Sequence, residues 1–124
     1  IREYCINNFY DEDKKSFVRN RDDKKMDISI LSSIVPFRMF DIKDKMVENT
    51  IERIEMTLRT YTGGYIRYED DNYMANPNPN PWVIATLWMA WYYLEAGKNK
   101  EALECFSFVT NTASKNFLLG TISP

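Results

Sequence analysis

Arg67 stands between Tyr65 and Tyr68 and is followed by three carboxylates, Glu69, Asp70 and Asp71, and then by Tyr73. Aromatic rings offer flat apolar faces, a guanidinium offers a planar fork of donors, and carboxylates offer acceptors. Together they suit a polar ligand with apolar faces, of which a sugar ring is one. The same spacing also describes a surface turn held by ordinary salt bridges. Trp82, a few residues downstream, is the tryptophan placed to reach such a ligand, whereas Trp88 and Trp91, three apart in an apolar run, are expected in the core. Paired carboxylates hydrolyse glycosides when they flank the scissile bond. Glu69, Asp70 and Asp71 are adjacent in the chain, which does not place them on opposite sides of a bond, so they are not taken as a catalytic pair. No phosphate-binding glycine loop, metal-ligand cluster or nucleophile elbow occurs, so no catalytic residue, metal or cofactor is assigned.

These side chains need elements that hold them, and the stretch from Gly63 to Trp91 supplies two. A glycine pair opens it, and a proline-broken segment, Met74 to Pro81, leads into an apolar run from Trp82. Pro77, Pro79 and Pro81 each bar a helix through themselves and bias the preceding residue towards extended geometry, so an ordered, extended loop is expected. Asn80 is a candidate cap for the next helix, with Pro81 at its first position. From Trp82 to Leu94 the sequence is apolar almost all round, the mark of a buried helix, and Gly97 suits a position just past its end.

The 124 residues suffice for one modest domain. A hydrophobic share of 44% is ordinary, whereas an aromatic share of 15% fits either a large core or a platform for a flat ligand. Sixteen basic against 18 acidic residues leave a net charge of −2, which gives no basic footprint for nucleic acid. Histidine is absent, removing the usual base for a Ser or Cys nucleophile. Cys5 and Cys105 lie far apart with no disulfide pattern, and read as free thiols in a reduced compartment. The first residue is Ile1 and no signal peptide is visible, which suggests a fragment or processed product and favours the cytoplasm. No apolar run reaches membrane-spanning length, so neither membrane nor nucleic acid is expected as a partner.

Taken in order, residues 1–10 read as the end of a helix, Asp11 to Lys15 as a charged turn, and Phe17-Val18-Arg19 as a short extended segment. Met26 to Phe37 reads as a helix with Asp27 as cap, Ile28, Leu31, Ile34 and Val35 on one face, and Pro36 at its end. Asp41 to Tyr61 is the clearest amphipathic helix, capped by Asp41. Its inner face carries Met46, Val47, Thr50, Ile51, Ile54 and Leu58, and its outer face is solvated charge. A last helix from about Lys100 to Ala113 aligns Ala102, Phe106, Val109 and Ala113, with Leu103 beside them. Residues 116–124 read as a loop anchored by Phe117 and Leu118-Leu119. The order predicts an all-α fold of stacked helical hairpins in an irregular toroid or bundle. No internal repeat supports a solenoid.

The segment Gly64-Tyr65-Ile66-Arg67-Tyr68-Glu69-Asp70-Asp71-Asn72-Tyr73, followed by Asn80-Pro81-Trp82-Val83-Ile84-Ala85-Thr86-Leu87-Trp88, resembles the glucoamylase family of glycoside hydrolases. Members carry a similar Arg-Tyr-x-x-Asp-x-Tyr, a short loop, Asn-Pro-Trp and an apolar helix. Phe17-Val18, Met26-Asp27-Ile28-Ser29-Ile30-Leu31, the Gly97 turn, Glu101-Ala102-Leu103 and Asn116-Phe117-Leu118-Leu119 follow the family pattern as well. The resemblance implies part of an (α/α)6 barrel, with residues 1–124 as the C-terminal portion of the catalytic domain. It also implies inverting exo-hydrolysis that releases glucose from an α-glucan or maltooligosaccharide.

By position, Arg67 resembles the arginine that hydrogen-bonds the sugar, and Trp82 an aromatic lining the pocket. Tyr68, Asp71 and Tyr73 complete the implied substrate-binding set. The family's general acid lies upstream of anything this chain matches. Its general base follows the Leu-Leu pair as x-Glu-Gln, where this chain has Gly120-Thr121-Ile122, and a threonine hydroxyl is too weak a base to replace it. Met74 to Asn80 is also longer and richer in proline than the family loop. The chain alone is therefore expected to be inactive, and exposed helix faces are expected to favour self-association. The alternative is a helical interaction or carbohydrate-binding module without chemistry.

Overall fold

The computed structural model describes residues 1–112. The expected place of Ala113 on the last helix, the 116–124 loop with Phe117, Leu118 and Leu119, and the carboxylate-free position at 120–122 lie outside the described residues. The described chain is all-α apart from one small hairpin. Helix α1 (Arg2–Phe9) leads into strands β1 (Tyr10–Asp11) and β2 (Ser16–Phe17), which pair antiparallel with Tyr10 opposite Phe17. A 3-10 helix (Ile28–Ser33) follows, then α2 (Lys45–Leu58), α3 (Val83–Glu95) and α4 (Asn99–Thr112). No helix among the described residues is long and apolar enough to cross a membrane.

The amphipathic pattern of α2 is realised. Val47, Thr50, Ile51, Ile54 and Leu58 are buried, each apolar one contributing about 1.5–3 kcal/mol by leaving water. Buried Thr50 Oγ1 accepts from the Phe17 amide at 3.1 Å, which ties the β hairpin to this helix. The start of α2 differs from expectation. Asp44 is the cap, accepting from the Met46 amide, while Asp41 accepts from the Lys43 amide in the preceding turn. Both aspartates make the local side-chain bond that caps require.

The expected helix over 26–37 is one 3-10 segment followed by turns. Its inner face is as expected, with Ile28, Leu31, Ile34 and Val35 buried and the Asp27 carboxylate accepting from the Ser29 amide. Serines compete for the backbone here, since Ser33 Oγ donates to the Ile30 carbonyl, and β-branched residues crowd the run.

Helices α3 and α4 form a hairpin closed at Gly97, whose φ of 73° lies in the left-handed region that glycine adopts freely. The Lys98 amide donates to the Tyr93 carbonyl at 2.8 Å, consuming an end carbonyl of α3. Two packing expectations fail. Trp91 is 44% exposed, with its indole N–H directed to Glu95, rather than core, whereas half-buried Trp88 packs against the core as expected and bonds the Val35 carbonyl at 2.9 Å. On α4 the buried set is Ala102, Cys105, Phe108 and Val109, while Phe106 and Leu103 face outward. The face is turned because Phe108 docks against Gly63 and Gly64, where missing side chains leave room for its ring.

Candidate functional site

Residues 65–69 form a segment bonded on both sides. The Tyr65 carbonyl accepts from the Trp82 amide at 2.8 Å, and the amide of the same peptide group, at Ile66, donates the opposite way to the Leu58 carbonyl at 2.9 Å. Further along, the Ile28 amide donates to the Arg67 carbonyl at 2.7 Å and the Glu69 amide to the Met26 carbonyl at 3.0 Å. The ends of α2, α3 and the 3-10 helix thus converge on the segment that carries Arg67. The Tyr65 amide donates to Thr86 Oγ1, and that hydroxyl donates to the Trp82 carbonyl, locking the first turn of α3 to the same segment.

Arg67 is clamped from below. Its Nε donates to Asp71 Oδ2 at 2.7 Å and its Nη2 to Asp71 Oδ1 at 2.9 Å, the bidentate geometry that carboxylates and guanidinium share. The Asp71 side chain is 1% exposed and that of Arg67 35%, so the acid is interior and the base reaches the surface. The Tyr73 amide adds a bond to Asp71 Oδ1 at 3.1 Å. Three rings surround the guanidinium carbon, Trp82 at 4.2 Å, Tyr68 at 5.2 Å and Tyr73 at 5.4 Å. Tyr73 and Trp82 lie 5.7 Å apart and tilted by 36°. All five residues singled out as a binding set (Arg67, Tyr68, Asp71, Tyr73 and Trp82) therefore share one cluster.

The bonds from Arg67 hold the Asp71 carboxyl below the usual carboxylate range, and Asp71 in turn raises Arg67. A depressed folded value means that stabilisation by Asp71 is complete above its unfolded value of about 3.9 and is lost as pH falls through the folded one. The clamp is thus expected to persist at pH 4. A pH titration of Asp71 followed by carboxyl NMR checks this, and a midpoint at or above the unfolded value would contradict it.

The neighbouring carboxylates point elsewhere. Glu69 Oε1 accepts from the Met26 amide at 2.8 Å, and Asp70 pairs on the surface with Lys25 at 2.9 Å. The three acids so serve three separate partners. The approach to α3 also departs from expectation. Trp82 is the residue preceding the helix, with no side-chain cap, and Pro81 is buried ahead of it rather than in the first turn. Asn80 is buried at 1% exposure and its amide makes no hydrogen bond among the described residues, so it does not cap. The 74–80 loop is bent rather than extended, folded by bonds from the Ala75 amide to the Asn72 carbonyl and from the Asn76 amide to the Asn78 carbonyl.

Sequence reasoning missed three contributors. Arg19 lies 5.6 Å from the Tyr68 ring and pairs with Asp23, so it backs the cluster from the β hairpin side. Thr86, a lone polar residue inside the apolar run, signals its backbone role by that isolation. Glu55 accepts from both the Tyr65 and Tyr93 hydroxyls. It follows Ile51 by one helical turn and borders Ile54, so its position in α2 places it at the edge of the buried stripe.

A clamped arginine among aromatic rings has the donors and flat faces that a polar, ring-bearing ligand would need. Comparison with known proteins bears on the chain as a whole. Over 87 residues, 68% of the chain, it is 40% identical to an uncharacterized glycosyl hydrolase, MJ1610, of Methanocaldococcus jannaschii, of which it covers 14%. Over 97% of the chain it is 28% identical to trehalase 1 of Sulfolobus acidocaldarius, covering 20% of that protein. A wild-type glycosidase structure superposes on 95% of the chain with a TM-score of 0.84 at 18% identity, the chain matching 30% of it. A variant glycosidase in complex with glucose superposes equally well. No protein-family model matches. The chain spans at most a fifth of the length of these two curated relatives. By sequence it is related to glycosyl hydrolases, and by structure it has the fold of part of a glycosidase, an all-α portion of an α/α barrel.

Proposed function

We propose that this chain supplies the sugar-holding side of a glycoside hydrolase site, and that the reaction is glucoamylase-like, with inverting exo-hydrolysis of α-glucosidic bonds releasing glucose. The carrying observation is the Arg67 cluster. Asp71 fixes the guanidinium through Nε and Nη2, and the Arg67 side chain is 35% exposed, so its outer edge can meet sugar hydroxyls beside the Trp82, Tyr68 and Tyr73 rings. A preorganised donor loses little freedom on binding, which favours affinity. The glycosyl hydrolase and trehalase relatives support a carbohydrate substrate, as does the glucose complex of a structural neighbour.

On this reading residues 1–124 are the C-terminal portion of a larger catalytic domain whose acid and base lie outside the described cluster, and the chain alone hydrolyses nothing. Calorimetric titration with maltose, glucose and trehalose tests the site. Saturable binding of maltose in preference to trehalose supports the reading, and preference for trehalose would replace the glucoamylase assignment with a trehalase one. A second reading, a binding module without chemistry, is favoured by the separate engagements of Glu69, Asp70 and Asp71. Glucose release from maltotriose by a longer protein containing this segment, and its loss there on Arg67→Ala, separates the two.

Self-association belongs to the same proposal. Ile84, Trp91 and Leu94 are exposed along one face of α3, with half-buried Leu87 between them. Sedimentation velocity at about 50 µM, where weak contacts between apolar patches of this kind are populated, is expected to show species larger than a monomer. A single monomeric boundary would count against it.

A further inference from the structure

We infer that Glu55 is a positioning residue for the Arg67–Trp82 stack, acting through Tyr65. The inference rests on the sugar-site reading only for its consequence in binding; the positioning itself is a property of the free protein. Glu55 lies on α2, and its Oε1 accepts from two buried phenols, Tyr65 of the segment and Tyr93 of α3. Its Oε2 takes Arg59 Nη1 at 3.2 Å. One carboxylate therefore fixes α2, α3 and the 65–69 segment at a single point.

Tyr65 is the residue through which this point reaches the cluster. Its side chain is 1% exposed and ends on Glu55, so the ring has one seat. Its main chain accepts from the Trp82 amide at 2.8 Å and donates to Thr86 Oγ1 at 3.1 Å, and Arg67 follows two residues on. A shift of the Tyr65 backbone moves the base of the Trp82 ring and the root of Arg67 relative to each other. A charged acceptor for two buried hydroxyls is also hard to replace, since charge-assisted hydrogen bonds are about twice as strong as neutral ones. Burial together with the Glu55 bond raises both phenols well above their ordinary value, so both remain donors across the usual pH range.

The test uses the chain labelled with 5-fluorotryptophan, whose three resonances report Trp82, Trp88 and Trp91 separately. Tyr65→Phe keeps the buried ring and removes only the donor. It is expected to move the Trp82 resonance towards its position in Arg67→Ala, leaving Trp88 and Trp91 in place. Glu55→Ala is expected to do the same, and Glu55→Gln, which keeps one acceptor, to restore part of the wild-type shift. Maltose affinity should weaken about threefold to tenfold in Tyr65→Phe, the range of one hydrogen bond. An unmoved Trp82 resonance, or equal movement of all three, would overturn the inference. Wild-type Trp82 unresponsive to maltose would instead overturn the sugar-site reading and leave the positioning result intact.

Discussion

Arg67→Ala is expected to weaken maltose binding about tenfold to hundredfold, the factor associated with losing charge-assisted hydrogen bonds of about 1.5–3 kcal/mol. The same change should cost stability, because Asp71 is interior and loses both bonds from its cation. Removing one member of a fully buried pair costs about 3–5 kcal/mol. Here Arg67 is partly solvated and the Tyr73 amide still serves Asp71, so about 1–3 kcal/mol is expected. The two effects separate in a double variant. Asp71→Ala combined with Arg67→Ala should recover stability relative to Arg67→Ala alone, since no carboxylate is stranded, while binding stays lost. Thermal melts paired with calorimetry check this. Equal stability of Arg67→Ala and the wild type would show that the clamp carries no load.

Gly64→Ala is expected to destabilise the chain by overpacking. An added Cβ would meet the Phe108 ring at 2.4 and 2.5 Å and Pro81 Cβ at 2.8 Å. Those contacts are shorter than atoms allow, so α4 or the start of the 65–69 segment must shift. Overpacking of this sort costs about 1–3 kcal/mol. Because Gly64 adjoins Tyr65 and Pro81 adjoins Trp82, the shift reaches the Arg67 cluster, and maltose affinity should fall together with Tm. Replacing Phe108 with Leu removes the clashing ring edge, so Gly64→Ala with Phe108→Leu should be less destabilised than the sum of the single changes. Additivity of the two would contradict the account, since neighbours in contact couple by about 0.5–3 kcal/mol.

What could be read in advance was what local chemistry determines. The period of α2 brought Val47, Ile51, Ile54 and Leu58 to one face, and Gly97 ended α3, because both depend on residues within a turn of one another. The grouping of Arg67, Asp71, Tyr73 and Trp82 came from the resemblance to the glucoamylase motif; spacing alone fitted a surface turn equally well, although Asp71 is only four residues from Arg67. The misreadings have tertiary causes. The face of α4 is selected by Phe108 finding the gap at Gly63 and Gly64, which no pattern inside α4 records. Trp91 lies outward because α3 packs its other sides against α4 and the 3-10 helix, and an all-round apolar helix does not say which side that will be. Glu55 was not singled out in the sequence, because the two phenols that donate to it, Tyr65 and Tyr93, come from outside its helix.

The central claim is that the cluster around Arg67 holds a sugar. An amide-correlation NMR titration of the chain with maltose, including the tryptophan indole signals, tests it most directly. Saturable shifts confined to residues 65–73 and the Trp82 indole, and abolished in Arg67→Ala, are the expected result. Shifts elsewhere, or none at millimolar sugar, would contradict the claim and leave the cluster as a structural clamp between α2 and α3.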